Sequence, residues 1–255
     1  MNSGTNIQRT GLGRALSKLG FCSRAQAFRL IRADRVRLNQ RPIRDPETPV
    51  RLGKDRIEVD GKPVDPAGKI YLMLNKPRGL VTTRTDEKGR KTVYSLLPAD
   101  SEWLAPVGRL DKASEGLLLL TNDSSWGARI AAPDARLEKT YHVQIDTVAN
   151  QELIDGLHKG VRADGDFLAA RRARILRLGK KNSWLEIVLD EGKNRHIRRM
   201  LSERGIEVLR LVRVAVGPIA LGNLPKGKAR PLTHKEVEDL AGEKQLWGDG
   251  RPRPS

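Results

Sequence analysis

Apolar side chains set the first rhythm of the chain. Leu12, Leu16 and Leu19 recur at helical spacing, which predicts a helix ended by Gly20. Ser23 opens S-R-A-Q, a capping box in which Ser23 and Gln26 satisfy free amides where a second helix starts. Ala27, Leu30 and Ile31 supply that helix with a buried stripe. At about 100° per residue, Arg24, Arg32 and Arg35 fall within about 80° of one another on a different face. Two short alternating stretches follow, VRLNQRPI and DRIEVDGKPV, and Asp60-Gly61 in the second signals a tight hairpin.

Residues 65–69, DPAGK, read as a linker. IYLMLNKP then reads as a strand that stops at Pro77, with Arg78-Gly79 turning the chain. Further strands are expected near 117–121, 139–146, 185–190 and 208–216, and helices near 150–158 and 194–204. Strands and helices mixed without a regular βαβ rhythm predict an α+β fold with a largely antiparallel, mixed sheet. Residues 243–255, ending GDGRPRPS, read as a disordered basic tail.

Composition narrows the function classes. The 255 residues suit one large domain or a large one with a small companion, and 38% hydrophobic residues suffice for a core. The longest apolar runs, such as Leu117 to Leu120, are too short to cross a bilayer. MNSGTNIQRT has no apolar h-region, so a secretory signal is not expected; its Ser and Arg without an acid leave an organelle transit peptide as the lesser alternative. The expected compartment is the cytoplasm. Cys22 is the only cysteine and sits among apolar neighbours, so neither an internal disulfide nor a cysteine-based zinc site is expected. Four scattered histidines show no ligand spacing.

Charge changes the picture most. Lys and Arg number 48 against 31 acids, a net charge of +17, which points to a polyanionic partner. Residues 1–44 alone hold ten Arg or Lys and a single acid, Asp34. No basic amphipathic helix with a bulky apolar face is present to favour a membrane, so nucleic acid is the expected partner. Lys193, Arg195, Arg199, Arg204, Arg210 and Arg213, with Arg171, Arg172 and Arg174, are candidates to line an RNA groove, ordinary solvated surface being the alternative for about half.

The two-helix-and-hairpin stretch, carried by SRAQAFRLIRADRVRLNQRPI and DRIEVDGKPV, resembles the S4 RNA-binding domain over residues 8–64. Phe28 departs from that pattern by lying close to the arginine face; packing under a neighbouring loop explains it better than base stacking. The richest stretch for chemistry is VGRLDKASEGLLLLTND, residues 107–123. On spacing alone, Asp111 caps a turn and Arg109 is its surface partner. G-R-L-D followed by S-E-G-L-L-L-L-T-N-D resembles the signature of RsuA-family pseudouridine synthases, the branch acting on ribosomal RNA. KTYHVQI at 139–145, EGKNRHIRRML at 191–201 and LNKPRGLVTT at 74–83 resemble further motifs of that family, in the same order.

That resemblance implies a pseudouridine-synthase domain over 70–242 with a central cleft. It implies Asp111 as catalytic aspartate, Tyr141 as the ring beside the target base and Arg198 as the cation paired with Asp111. Arg109 would enter the RNA stack as the uridine leaves. Lys76 would lie near the cleft with no defined role and is a candidate RNA contact, beside the groove candidates Lys193, Arg195 and Arg199 and, in the S4 part, Arg24, Arg32 and Arg35. Glu115 is expected to shape the loop and Asp123 to form a turn. The implied reaction breaks the N1–C1′ bond, turns the uracil and joins C5 to C1′, with no group entering or leaving, so no cofactor and no metal are expected. The expected partner is ribosomal RNA, free or within a subunit assembly intermediate, met by a monomer. SEGLLLLTND leans toward large-subunit RNA. A non-catalytic RNA-binding or ribosome-assembly protein is the first rival. A metal-dependent nuclease is the second, though it lacks the clustered carboxylates of a two-metal site.

Overall fold

The computed structural model describes residues 9–84, 86–98, 103–132 and 135–242. The tail expected at 243–255 therefore lies outside the described residues. The chain divides into two compact units. One comprises 1–71, 100–105 and 120–127, and the other 72–99, 106–119 and 128–255.

The first unit holds β1 (Thr10–Gly11), α1 (Leu12–Lys18), α2 (Arg24–Arg32), β2 (Val36–Leu38), β3 (Arg41–Pro42), β4 (Pro49–Val50), β5 (Ile57–Val59) and β6 (Lys62–Pro63). Leu12, Leu16, Ala27 and Ile31 are buried together with Val36, Ile57 and Val59, so both helices close over the small sheet. Its strand order is β3-β2-β5-β6. Asp60 and Gly61, at φ 52° and 75°, form the hairpin turn that their types predict. Ser23 accepts from the Gln26 amide at 3.1 Å, the forward half of the expected box. A Cβ on Gly13 would run into the Phe28 ring, so Phe28 packs against the helix α1 and not under a loop as expected. The expected linker is not a free tether. The Ala67 amide donates to the Leu19 carbonyl at 3.0 Å, and the Asn122 side chain bridges Gly68 and Ile70.

One expectation about the arginine face fails. The helix ends at Arg32, because Asp34 turns to φ 61°, so Arg35 lies beyond it. Its guanidinium forks onto Asp60 through bonds of 2.8 and 2.6 Å. Arg35 is a hairpin latch, whereas Arg24 and Arg32 are exposed and form no ion pair with a described residue.

The remaining elements are β7 (Tyr71–Lys76), β8 (Ala105–Val107), β9 (Glu115–Thr121), α3 (Ser124–Ala131), β10 (Lys139–Ile145), α4 (Gln151–Lys159), β11 (Val161–Ala163), β12 (Asp166–Leu168), β13 (Arg172–Leu178), β14 (Ser183–Leu189), α5 (His196–Ser202), β15 (Val208–Val216), β16 (Ile219–Ala220), β17 (Ala229–Pro231) and α6 (His234–Ala241). The large sheet has the order β13-β14-β10-β15-β9-β7-β17. β15 runs parallel to β9, while β10–β14, β10–β15, β13–β14 and β7–β17 are antiparallel. The fold is α+β with a mixed, largely antiparallel sheet.

Every residue of β9 is buried, which accounts for its unbroken Leu run: a central strand covered on both faces shows no alternation. Val143 and Ile145 of β10 and Leu185 and Ile187 of β14 meet Ile154 and Leu157 of α4 and Ile197, Met200 and Leu201 of α5. Gly116, at φ 103°, sits opposite Arg213, and any Cβ there would strike the Arg213 backbone. The glycine of S-E-G is therefore what lets β9 and β15 pair in register.

Candidate active site

Asp111 lies on the Gly108–Ser114 loop that leads into β9, and that loop is fixed from several sides. Lys76, at the end of β7, is fully buried, and its ammonium donates to the carbonyls of Asp111 (3.0 Å), Ser114 (2.8 Å) and Pro77 (3.2 Å). The Gly79 amide donates to the Lys112 carbonyl at 2.7 Å. The Thr82 hydroxyl donates to the Leu110 carbonyl at 2.7 Å and accepts from the Leu110 amide at 3.3 Å. Arg198 of α5 donates to the Ala113 carbonyl at 3.2 Å and to Val208 at 3.0 Å. The loop's own 111–114 turn closes with the Ser114 amide on the Asp111 carbonyl at 3.0 Å.

The backbone of Asp111 is thus held on both sides, while its carboxylate bonds to no described residue. It is half-buried at the wall of a cavity of about 650 Å³. Arg109 and Leu110 from the same loop, Tyr141 and Lys139 from β10, Arg213 from β15 and the segment 189–197 complete that wall. Arg109 is exposed there and forms no ion pair with a described residue. Arg213 is buried and donates through Nε to the Leu117 carbonyl at 2.7 Å.

Burial sets the site's protonation. It lowers the Lys76 ammonium from 10.5 to about 8, against the opposing pull of Asp111 and Glu115. Arg198 is also pulled down, first by burial and then by Arg195, with Asp111 acting the other way. Burial, with the nearby Arg213 charge, lowers Lys139 as well. His196 is buried with Nδ1 3.6 Å from the Glu191 carboxylate, and burial lowers its pKa against the opposing pull of that carboxylate.

Several expected roles need correction. Lys76 is no RNA contact, because its ammonium is enclosed and saturated by carbonyls. Arg198 forms no direct pair with Asp111, because its two terminal nitrogens are taken by Val208 and Ala113; the Asp111 charge only opposes the lowering of its pKa by burial. Arg199 is tied to Asp164 at 2.9 Å and Asp166 at 2.8 Å, and also donates to the Ala163 carbonyl. Lys193 is held by Glu191 at 3.0 Å and by the Phe167 carbonyl at 2.7 Å. Among the groove candidates, Arg171 and Arg172 both meet Glu138, Arg174 meets Glu186, Arg210 forks onto Glu115, and Arg204 donates to the Gly156 carbonyl. Arg195 is the exception: it is exposed, lines the cavity, and forms no ion pair with a described residue.

Glu115 does shape the loop's exit, being buried between Arg210 (2.8 Å) and Lys226 (2.6 Å). Asp123 forms the expected turn by accepting from the Ser125 and Trp126 amides, both at 3.0 Å. Sequence reasoning missed Lys139, Thr82 and His196. Lys139 had a legible signal, since a strand period of two puts it on the face of Tyr141. Among the described residues no group of three or more His, Cys, Asp or Glu could hold a metal ion, and no helix is long and apolar enough to cross a membrane.

Comparison with known proteins agrees with this architecture. Residues 70–203 match the RNA pseudouridylate synthase family model, and residues 12–57 match the S4 domain. An uncharacterized RNA pseudouridine synthase of Aquifex aeolicus is 38% identical over 90% of this chain and 92% of its own length. Ribosomal large subunit pseudouridine synthase B of Bacillus subtilis is 35% identical over 90% of this chain and 94% of its own. A crystal structure of a pseudouridylate synthase superposes with a TM-score of 0.63 at 29% identity, covering 91% of this chain and 99% of that one.

Proposed function

The chain belongs to the RNA pseudouridylate synthase family, and on that premise we propose that it isomerises a uridine of ribosomal RNA with Asp111 as the catalytic carboxylate. The observation that carries the assignment is Asp111 itself. Its backbone is pinned by Lys76 and Ser114, while its carboxylate, at a cavity wall, bonds to no described residue. A non-catalytic RNA binder has no use for a pinned, unpaired carboxylate in such a place.

The uridine is extruded from its stack into the cavity, where Tyr141 offers an aromatic face. Asp111 supports cleavage of the N1–C1′ bond, the freed uracil turns, and C5 joins C1′. The proton on C5 is then lost and N1 gains one. Nothing is transferred in or out, so the reaction needs neither cofactor nor metal. Arg198 and Lys76 keep the loop in place and set positive charge behind Asp111. Arg109 fills the gap that the uridine leaves. Arg195 holds phosphate at the mouth, and Arg24 and Arg32 of the S4 domain recruit the RNA.

The substrate is large-subunit RNA, free or in an assembly intermediate, and the enzyme works as a monomer in the cytoplasm. The named Bacillus subtilis relative supports the choice of subunit. Mapping pseudouridines in ribosomal RNA from cells with and without this chain tests the reading. One large-subunit site should vanish with the chain, and unchanged maps would refute it.

A further inference from the structure

The hairpin β11–β12 lies outside the residues that line the cavity, and the edge of its Phe167 ring covers Gly160. Phe167 is 51% exposed. A single exposed apolar residue is ordinary on a protein surface, but three features separate this one from that background.

The first is rigidity. Asp164 and Gly165, at φ 47° and 82°, make a tight turn, and Ala163 and Leu168 bury the hairpin's inner face in the core. Arg199 binds Asp164 and Asp166, and Lys193 binds the Phe167 carbonyl at 2.7 Å. The second is location. Lys193 also lines the catalytic cavity, so one lysine links the cavity wall to the backbone of Phe167. The third is charge. Arg162 stands opposite Phe167 in the hairpin register, so both project from the outer face, and Arg162 is exposed without an ion pair to a described residue. The hairpin's two acids are already matched by Arg199. What remains is an aromatic face beside an available cation, joined through Lys193 to the wall of the cavity.

We propose that Phe167 is a stacking platform for an unpaired RNA base flanking the target uridine, with Arg162 meeting that nucleotide's phosphate. The inference rests on the assigned reaction and extends it to how neighbouring nucleotides are held. Once the target leaves the helix, a flanking base loses a stacking partner. An aromatic ring receives such a base whatever its identity, and the adjacent arginine meets the backbone charge. The cations of EGKNRHIRRM that pattern alone assigns to phosphates thus serve in part to fasten this platform.

The test titrates deproteinised large-subunit ribosomal RNA with wild type, Phe167→Ala, Phe167→Trp and Leu178→Ala. Leu178, 56% exposed, controls for loss of apolar surface in general. Thermal melting confirms folding, sedimentation reports association, and pseudouridine formation by wild type is followed in the same RNA. Phe167→Ala should bind about 5- to 150-fold more weakly, the range that base–aromatic stacking gives, while Phe167→Trp and Leu178→Ala should bind as wild type does. Wild-type affinity in Phe167→Ala would overturn the proposal, as would equal losses in Phe167→Ala and Leu178→Ala. Altered sedimentation with unchanged RNA affinity would also overturn it and assign the ring to a protein contact. If wild type forms no pseudouridine, the assigned reaction fails separately, while the binding series still decides the role of Phe167.

Discussion

Lys76 donates to the backbone carbonyl of Asp111 at 3.0 Å, not to its carboxylate. The lysine therefore fixes where the aspartate stands and leaves its reactive end available. Its bonds to Ser114 and Pro77 make it the common anchor of the β7 terminus and the Gly108–Ser114 loop.

Lys76→Met should strand three carbonyls in a buried space. Activity should fall by about 100-fold, the cost of a misplacement near 1 Å at a reacting group. RNA affinity should stay close to wild type, measured in the same preparation.

The wild-type rate should also decline as pH rises through about 8, where the buried Lys76 loses its proton. In the unfolded chain the same group titrates near 10.5. Between those values the folded chain holds fewer protons, so the contribution of Lys76 to folding stability grows with pH. The loss of rate should therefore come without unfolding from this group. A pH–rate profile with parallel melting curves checks both signs.

Arg198→Met should leave the Ala113 and Val208 carbonyls without their donor and remove the charge behind Asp111. A single-turnover rate lower by about 100- to 1,000-fold is expected, the scale of removing one preorganised electrostatic contact. Arg198→Lys should be intermediate, since it keeps the charge but cannot span both carbonyls as a planar fork does.

Arg24 and Arg32 should behave differently from Arg35. Replacing the first two by Gln should weaken RNA binding and flatten its salt dependence by about 0.7 to 0.9 per lost phosphate contact. Arg35→Gln should change that slope little, because its guanidinium is occupied by Asp60. Binding titrated across salt concentrations separates the two cases.

Gly116→Ala should be poorly tolerated although the change is one methyl group. The new Cβ would meet the Arg213 backbone, which cannot swing aside as a side chain can. Overpacking of this kind costs about 1–3 kcal/mol, so melting should fall by several degrees.

Much of this was legible in the sequence. The two S4 helices, the Asp60-Gly61 hairpin and the strands at β9, β10, β14 and β15 lie where apolar spacing and turn residues place them. The helix α3 was missed because SSWGARIA has no long apolar stripe, and α6 was missed although Thr233 and Glu236 form a capping box. Ordered motifs singled out Asp111, Tyr141 and Arg198, and the structure brings Asp111 and Tyr141 to one cavity wall while Arg198 holds the Asp111 loop. The fate of individual cations was not legible. Arg199, Lys193, Arg210 and Lys76 look alike in a basic sequence, and only tertiary partners distant in the chain decide which are spent on acids or carbonyls.

If the carboxylate of Asp111 performs the chemistry and does not merely shape the loop, its charge is what the reaction needs. Asp111→Asn keeps the size of the side chain and leaves untouched the backbone carbonyl that Lys76 grips, so it isolates the charge. Pseudouridine formation in single turnover, with RNA affinity measured on the same protein, is the direct test. Asp111→Asn should show no detectable isomerisation with RNA binding within about twofold of wild type; turnover at the wild-type rate would mean that the carboxylate has no part in the chemistry.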